Sequence, residues 1–111
     1  GMAQALSLME QNLEEPLNAG ALAKKAGLSL RQLERLFHRH FAMTPHRYYL
    51  DLRLQRARSL LQYSDLAVVE IAVASGFASP AHFSRAYRSW AGKAPTEERR
   101  RIHSGIMPSL R

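Results

Sequence analysis

The stretch AKKAGLSLRQLERLF, residues 23–37, decides the fold of this chain, because a related pattern returns later as AVASGFASPAHFSRAY, residues 72–87. Counted from Ser29 in the first copy and from Ser79 in the second, each copy has an apolar residue four places on, an arginine six places on and an aromatic residue eight places on. Glycine adopts the left-handed conformation that ends a helix, and serine accepts hydrogen bonds from the free N–H groups that open the next one. Each copy therefore predicts a helix, a short turn and a second helix, as in a helix-turn-helix.

The start of the second helix has a different cap in each copy. Ser29 and Gln32 have the spacing of a capping box, in which the glutamine side chain bonds back to the serine N–H. Ser79 precedes Pro80, and proline at the first helical position lacks a donor that would be unpaired there anyway. The turns also differ in length by one residue, so the two motifs need not contact a ligand identically.

The rest of the chain reads as helix after helix, without the alternating pattern of a strand. We expect helices over about residues 2–14, 17–26, 29–41, 45–62, 65–75, 79–91 and 96–102, with Asp65 as the cap of the fifth. The predicted fold class is all-α, with seven helices that form two helix-turn-helix subdomains joined by a long linker helix. The expected boundaries are 1–43 for the first subdomain, 44–63 for the linker helix, 64–102 for the second subdomain and 103–111 for a flexible tail.

Composition and charge favour a partner that is a polyanion. Sixteen Lys and Arg residues against nine Asp and Glu residues give the 111-residue chain a net charge of +7. Glu10, Glu14 and Glu15 precede Leu17, whereas every Lys and Arg follows it, so the basic excess coincides with the two motifs. Such an excess is typical of nucleic-acid binding, and it also occurs on ordinary solvated surfaces.

Several classes of protein are disfavoured by what the sequence lacks. The absence of cysteine excludes disulfides, thiolate catalysis and cysteine-based zinc sites, and it fits a reducing compartment. We find no apolar run of about 18 residues that would span a bilayer and no signal peptide, so we expect a cytoplasmic protein that does not associate with a membrane. The five histidines have no metal-ligand spacing, and no nucleophile lies near a base, so we expect no catalytic residue, metal or cofactor.

In each motif, the second helix has an apolar side and an outward side when its residues are placed at about 100° per residue. Leu33, Leu36 and Phe37 form the apolar side of the first helix, and Phe83, Ala86 and Tyr87 form that of the second. We call the outward residues the first and second recognition faces. The first recognition face comprises Arg31, Glu34, Arg35 and His38. The second recognition face comprises Ala81, Ser84, Arg85 and Arg88.

These outward residue types suit the major groove of DNA. Arginine bonds guanine O6 and N7 in two-pronged fashion, Glu34 would accept from a cytosine amino group, and Ala81 would contact a thymine methyl group. Alternatively, Glu34 only orients Arg31, Arg35 or His38 and meets no base. Residues at the start and edge of the faces are candidates for further DNA contacts, chiefly with phosphate. They are Ser29, Gln32, Arg39, Ser79 and His82.

The linker helix sets the expected geometry. About eighteen residues at 1.5 Å per residue span roughly 27 Å, which approaches the roughly 34 Å between successive major-groove faces of B-DNA. One chain would then bind as a helix-turn-helix dimer does, but on an asymmetric site. Arg56 and Arg58 on this helix are expected to be solvated.

At this point the sequence resembles a known family. The motifs are Arg53-x-x-x-Ala57-x-x-Leu60-Leu61, Ile71-Ala72-x-x-x-Gly76-Phe77, Ser79-x-x-x-Phe83-x-Arg85-x-Tyr87-Arg88 and Gly92-x-x-Pro95. They are similar to the signature of the AraC/XylS family of bacterial transcription regulators. The resemblance implies sequence-specific binding of double-stranded DNA at promoters, usually with activation of transcription, and RNA polymerase as a further partner.

A second resemblance concerns the missing part of the protein. Residues 30–37, followed by residues 47–50, are similar to the subgroup whose N-terminal half is a glutamine-amidotransferase-like sensor domain. This chain would then be the C-terminal DNA-binding fragment of a longer regulator that has an N-terminal sensor or dimerisation domain.

Two departures from the family pattern bear on stability. Ala42 stands where the family usually has glycine, so we expect a wider or strained turn after the first recognition helix. Glu98 occupies a position that is usually aromatic, so we expect weaker packing of the last helix.

Two other functions remain as alternatives. One is an enzyme, for which the sequence offers no arrangement of catalytic groups. The other is a basic helical module that binds an acidic protein. Steep salt dependence and a difference between specific and random duplexes would favour DNA over such a partner.

Overall fold

The computed structural model describes the backbone of residues 1–103 and the side chains of residues 1–100. Within these residues the chain is all-α, as predicted, and has no strand. The seven helices are α1 (Met2–Gln11), α2 (Ala19–Lys25), α3 (Leu30–Phe41), α4 (Pro45–Tyr63), α5 (Val68–Ala74), α6 (Pro80–Ala91) and α7 (Pro95–His103). None of the described helices is long and apolar enough to cross a membrane. The flexible tail was predicted to begin at His103, but this residue is the last of α7, and the rest of the predicted tail, residues 104–111, lies outside the described part.

The chain divides into two compact units, the first comprising residues 1–53 and the second beginning at Leu54. The boundary lies inside the nineteen-residue helix α4, whose first half belongs to one unit and whose second half belongs to the other. Helices α2 and α3 form the helix-turn-helix of the first unit, and α5 and α6 form that of the second. The repeated sequence pattern therefore gives one motif to each unit.

The first unit has a core built by all four of its helices. Phe37 packs edge-on against Tyr48, with ring centroids 5.4 Å apart. The Tyr49 hydroxyl accepts from the Leu17 N–H at 3.1 Å and donates to the Asn12 carbonyl, which holds the α1–α2 connection against α4. Burial raises the pKa of Tyr49, so the hydroxyl stays protonated and can donate. The buried core residues are Ala5, Met9, Leu22, Ala23, Ala26, Leu33, Phe37 and Tyr49.

The second unit has a core centred on aromatic residues of α6. Phe83 lies between Phe77 and Tyr87, at centroid distances of 5.3 and 5.7 Å. Such tilted aromatic pairs stabilise a core beyond the effect of buried area alone. The buried apolar residues around them are Leu54, Ala57, Leu61, Ile71 and Ala72.

The helix caps agree with the sequence in α3 and α6 and differ in α5. Ser29 and Gln32 form both bonds of the capping box, and the Ser79 hydroxyl accepts from the His82 N–H at 3.1 Å. The prediction that Asp65 caps α5 is wrong. The chain stays in the α4–α5 connection until Ala67, whose N–H donates to the Glu70 carboxylate at 2.7 Å. Ser64, which accepts from the Leu66 N–H, stabilises this longer turn.

The strained turn expected after α3 is present at Ala42. Ala42 caps the C-terminus of α3 in the left-handed conformation, with a φ of 55°. The equivalent cap of α6 is Gly92, which has the same conformation with a φ of 83°. The left-handed region is unfavourable for residues with a Cβ atom, and an added Cβ at Gly92 would meet no atom within 4 Å.

We therefore predict opposite effects for exchanging the two caps. Ala42→Gly should raise the free energy of unfolding by about 1 kcal/mol and Gly92→Ala should lower it by a similar amount, because the strain of a Cβ atom at positive φ outweighs the greater freedom of glycine in the unfolded chain. Urea denaturation followed by circular dichroism measures both. Effects of the same sign would contradict the assignment of strain to Ala42.

The weaker packing expected around Glu98 is not found. Its carboxylate is 7% exposed and accepts from the Tyr87 hydroxyl and from Arg58 Nε at 3.2 Å, with Lys93 Nζ at 3.7 Å. An aromatic residue is not required at this position, because a hydroxyl and two cations supply partners for the buried acid. These partners could not be identified from the sequence. Glu98 thus joins α7 to α6 and α4.

Arg58 is also not the solvated residue that we expected. Its guanidinium lies 4.6 Å from the centre of the Trp90 ring and donates to Glu98, so it is half-buried between a cation–π contact and an ion pair. Arg56, in contrast, is exposed and donates to the Ala74 carbonyl at 2.9 Å.

This arrangement makes the stability of the second unit depend on pH. Burial acts to raise the pKa of Glu98, but the hydrogen bond from Tyr87 and the charges of Arg58 and Lys93 outweigh it, so the pKa is lowered. A carboxylate with a lowered pKa contributes stability above its ordinary pKa of about 4.3 and loses it as pH falls through the lowered value. We predict that Glu98→Gln removes this acid-dependent part of the unfolding free energy.

Chemical denaturation at a series of pH values below about 4.3 tests this prediction. Glu97→Gln is the matched control, because Glu97 is the exposed neighbour on the same turn. The control should keep the acid slope of the parent chain. Equal slopes for the parent chain and Glu98→Gln would contradict the prediction.

Arg99 provides a second attachment of α7. Its guanidinium donates to the carbonyls of Leu60 at 3.2 Å and Ser64 at 3.1 Å, and also to that of Leu66. The last carbonyls of a helix have no partner within the helix. Arg99 therefore satisfies the C-terminal end of α4.

Candidate nucleic-acid interface

The first recognition face is positioned by the buried side of α3. Leu33 and Phe37 are completely buried, and they fix the rotation of the helix about its axis. All four residues of the first recognition face are exposed, as the periodicity predicts. Together with Arg39 they line a shallow open depression along the helix. The surface thus places cationic side chains side by side on a convex helix, which suits a groove of DNA.

The second recognition face is positioned in the same way by Phe83 and Tyr87, which are also completely buried. Ala81, Arg85 and Arg88 are exposed, and Ser84 is half-buried. At the edge of the face, the His82 ring contacts Phe77 edge-on at a centroid distance of 5.4 Å, which limits the directions in which its nitrogens can reach. The second face has two charged side chains, Arg85 and Arg88, whereas the first has three, which are two arginines and Glu34.

The capping serines place hydroxyl groups at the start of each face. Ser29 Oγ accepts from the Gln32 N–H at 3.1 Å, and Ser79 Oγ makes the equivalent bond, so each hydroxyl proton remains available to an acceptor. Gln32 Oε1 accepts from the Ser29 N–H at 2.9 Å, which leaves only the amide NH₂ group of Gln32 for a ligand. These groups are suited to phosphate oxygens, which accept hydrogen bonds.

Leu36 lies at the edge of the apolar side, beside the first face. The periodicity places it with Leu33 and Phe37, and in the structure it is half-buried and lines a second shallow depression with Leu28, Gln32 and Arg35. Its angular position on the helix, between Leu33 and Arg35, accounts for this partial burial. Apolar surface next to Arg35 suits contact with sugar or with a thymine methyl group.

The recognition faces are not neutralised by the protein itself. Among residues 1–100, no side chain of either recognition face forms an ion pair. The described residues also contain no group of three or more His, Cys, Asp or Glu side chains that could hold a metal. The exposed cations are therefore free to meet an external anion.

Comparison with known proteins places this geometry among transcription regulators. A family model described as a helix-turn-helix domain matches residues 22–101. The chain is 47% identical over 96 residues to the HTH-type transcriptional regulator GbdR of Pseudomonas aeruginosa, which covers 86% of this chain and 26% of that protein. It is 46% identical over 99 residues to the HTH-type transcriptional regulator GlxA of Rhizobium meliloti, which covers 89% of this chain and 31% of that protein. The chain spans less than a third of these two relatives.

Two solved structures agree with the fold. A transcriptional regulator of Chromobacterium violaceum with an AraC-type DNA-binding domain superposes with a TM-score of 0.86 at 48% identity, covering 91% of this chain and 90% of that one. The DNA-binding domain of the transcriptional factor AdpA, in complex with a target DNA, superposes with a TM-score of 0.89 at 27% identity. That superposition covers 94% of each chain.

Proposed function

We propose, because this chain belongs to the AraC-type helix-turn-helix family of transcription regulators, that it binds double-stranded DNA sequence-specifically as the DNA-binding part of a longer regulator. The observation that carries this proposal is the matched pair of recognition faces. Each face stands on a separate buried core, and each presents an exposed arginine, Arg35 or Arg85, at the same distance from its capping serine.

The two faces are proposed to enter successive major grooves of one duplex. Arg35 and Arg85 would read guanine, while Ser29, Ser79 and their neighbours would bind phosphate. The edge residues proposed for phosphate are Gln32, Arg39 and His82. Because the faces differ in sequence, the preferred DNA site is proposed to be asymmetric.

The proposal for the rest of the regulator concerns the part of the relatives that this chain does not match. GbdR and GlxA are each more than three times as long as the segment that matches this chain. A glutamine-amidotransferase-like sensor domain preceding this chain is supported by the similarity of residues 30–37 and 47–50 to that subgroup. Contact with RNA polymerase and activation of transcription would follow from promoter binding.

Selection of bound sequences from a random duplex library tests the proposed function. The expected result is an enriched asymmetric site that saturates at one chain per duplex, with affinity that falls steeply as salt rises. Weak, equal retention of all duplexes would instead favour the acidic protein partner. Strict two-to-one binding to a palindrome would contradict the arrangement of both faces on one site.

A further inference from the structure

We propose that Glu34 determines the specificity of the first recognition face by rejecting guanine and thymine, which carry no amino group in the major groove, at the base it faces; this inference rests on the DNA-binding function proposed above. In this role Glu34 excludes wrong sequences as well as accepting a right one. The preferred partner is the N4 amino group of cytosine.

The contacts of Glu34 argue against the alternative that it orients a neighbouring cation. It lies in the depression shared with Arg31, Arg35 and His38 and is exposed. Nevertheless, among residues 1–100 no Lys, Arg or His nitrogen lies within 4.0 Å of its carboxylate. Asp51 shows that this chain does form such pairs where the geometry allows, because it lies 3.3 Å from Arg47 one helical turn away. The carboxylate of Glu34 is therefore available to a ligand.

An unpaired carboxylate is an unusual group to place against DNA. It can only accept hydrogen bonds, and in the major groove only the amino groups of cytosine and adenine donate them. Against guanine O6 and N7, thymine O4 or a phosphate, the carboxylate would lose water and face another acceptor. Both effects are unfavourable, so guanine and thymine are penalised at the base that Glu34 faces.

The second recognition face lacks such a group. Ser84 stands at the same distance from Ser79 as Glu34 does from Ser29, and it is neutral and half-buried. A hydroxyl both donates and accepts, so it tolerates every base edge. The first face is therefore the one that discriminates against wrong sequences at this position.

Binding of the Glu34→Gln variant to the selected duplex and to a random duplex, at one salt concentration, tests the proposal. Glutamine has nearly the same shape but both donates and accepts. We expect tighter binding to the random duplex and a fall of at least about fivefold in the ratio of specific to random affinity. Repeating the selection with Glu34→Ser, which copies Ser84, should remove a cytosine preference from one half of the site.

Glu10→Gln is the matched control, because Glu10 is exposed on α1 of the same unit and its loss changes the net charge equally. The control should leave the ratio of affinities unchanged. If Glu34→Gln also leaves the ratio unchanged, Glu34 only lowers net charge and the proposal is overturned. Weaker specific binding with unaltered random binding would overturn the rejecting role. Failure of the parent chain to prefer any duplex would overturn the proposed function itself, before any variant is compared.

Discussion

Phe37→Ala is expected to lower the free energy of unfolding of the first unit by about 3–5 kcal/mol, the range found when a buried aromatic residue is reduced to alanine. Phe37 of α3 is completely buried, and the centroid of its ring lies 5.5 Å from that of Phe41 and 5.4 Å from that of Tyr48. Alanine would leave a cavity among these rings, and one unit of about fifty residues has little stability in reserve. Hydrogen exchange resolved along the chain measures the loss in residues 1–53.

The neighbouring residue provides the control for this experiment. His38 follows Phe37 but is exposed on the first recognition face, so His38→Ala should change stability by less than about 0.5 kcal/mol. Trp90 is the one tryptophan of the chain and lies in the second unit, so its fluorescence reports that unit separately. Similar losses for Phe37→Ala and His38→Ala would show that α3 is not fixed by its buried side.

Arg35→Ala and Arg85→Ala are each expected to weaken binding to the selected duplex by about 1–3 kcal/mol, the contribution of a two-pronged contact with guanine. Each substitution should relax the base preference in a different half of the site, because each arginine stands on a different recognition face. Competition binding against duplexes with single base changes measures both the loss and its position.

Arg39→Ala separates base reading from simple charge. Arg39 is exposed at the edge of the first face, where we propose a phosphate contact. Its removal should weaken binding to all duplexes about equally and reduce the salt dependence. Unchanged base preference after both Arg35→Ala and Arg85→Ala would refute their assignment as base-reading residues.

Features that depend on neighbours in sequence were predictable. The caps at Ser29 and Ser79 and the buried positions of Phe37 and Tyr87 follow from local hydrogen-bonding rules and helical periodicity. These features decide the all-α fold and the exposed sides of α3 and α6. Most of the candidate interface could therefore be drawn before the structure was known.

Features that depend on distant partners were not predictable. Glu98 and Arg58 are forty residues apart in sequence, and their pairing next to Tyr87 requires three helices to meet. Asp65 failed as a cap because the connection after α4 extends to Ala67 before a new helix begins. In both cases, the choice among plausible local contacts is made by tertiary packing.

The position of α7 has a consequence for the order of folding during synthesis. The first unit takes its buried core from residues 5–49, so it can fold soon after these have left the ribosome. The second unit is completed later, because Glu98 and Arg99, whose side chains bond Tyr87 and the carbonyls of Leu60 and Ser64, are synthesised after the rest of its core. A nascent chain would therefore carry one complete recognition helix while the other is still unsupported, as expected when units fold in sequence from the N-terminus.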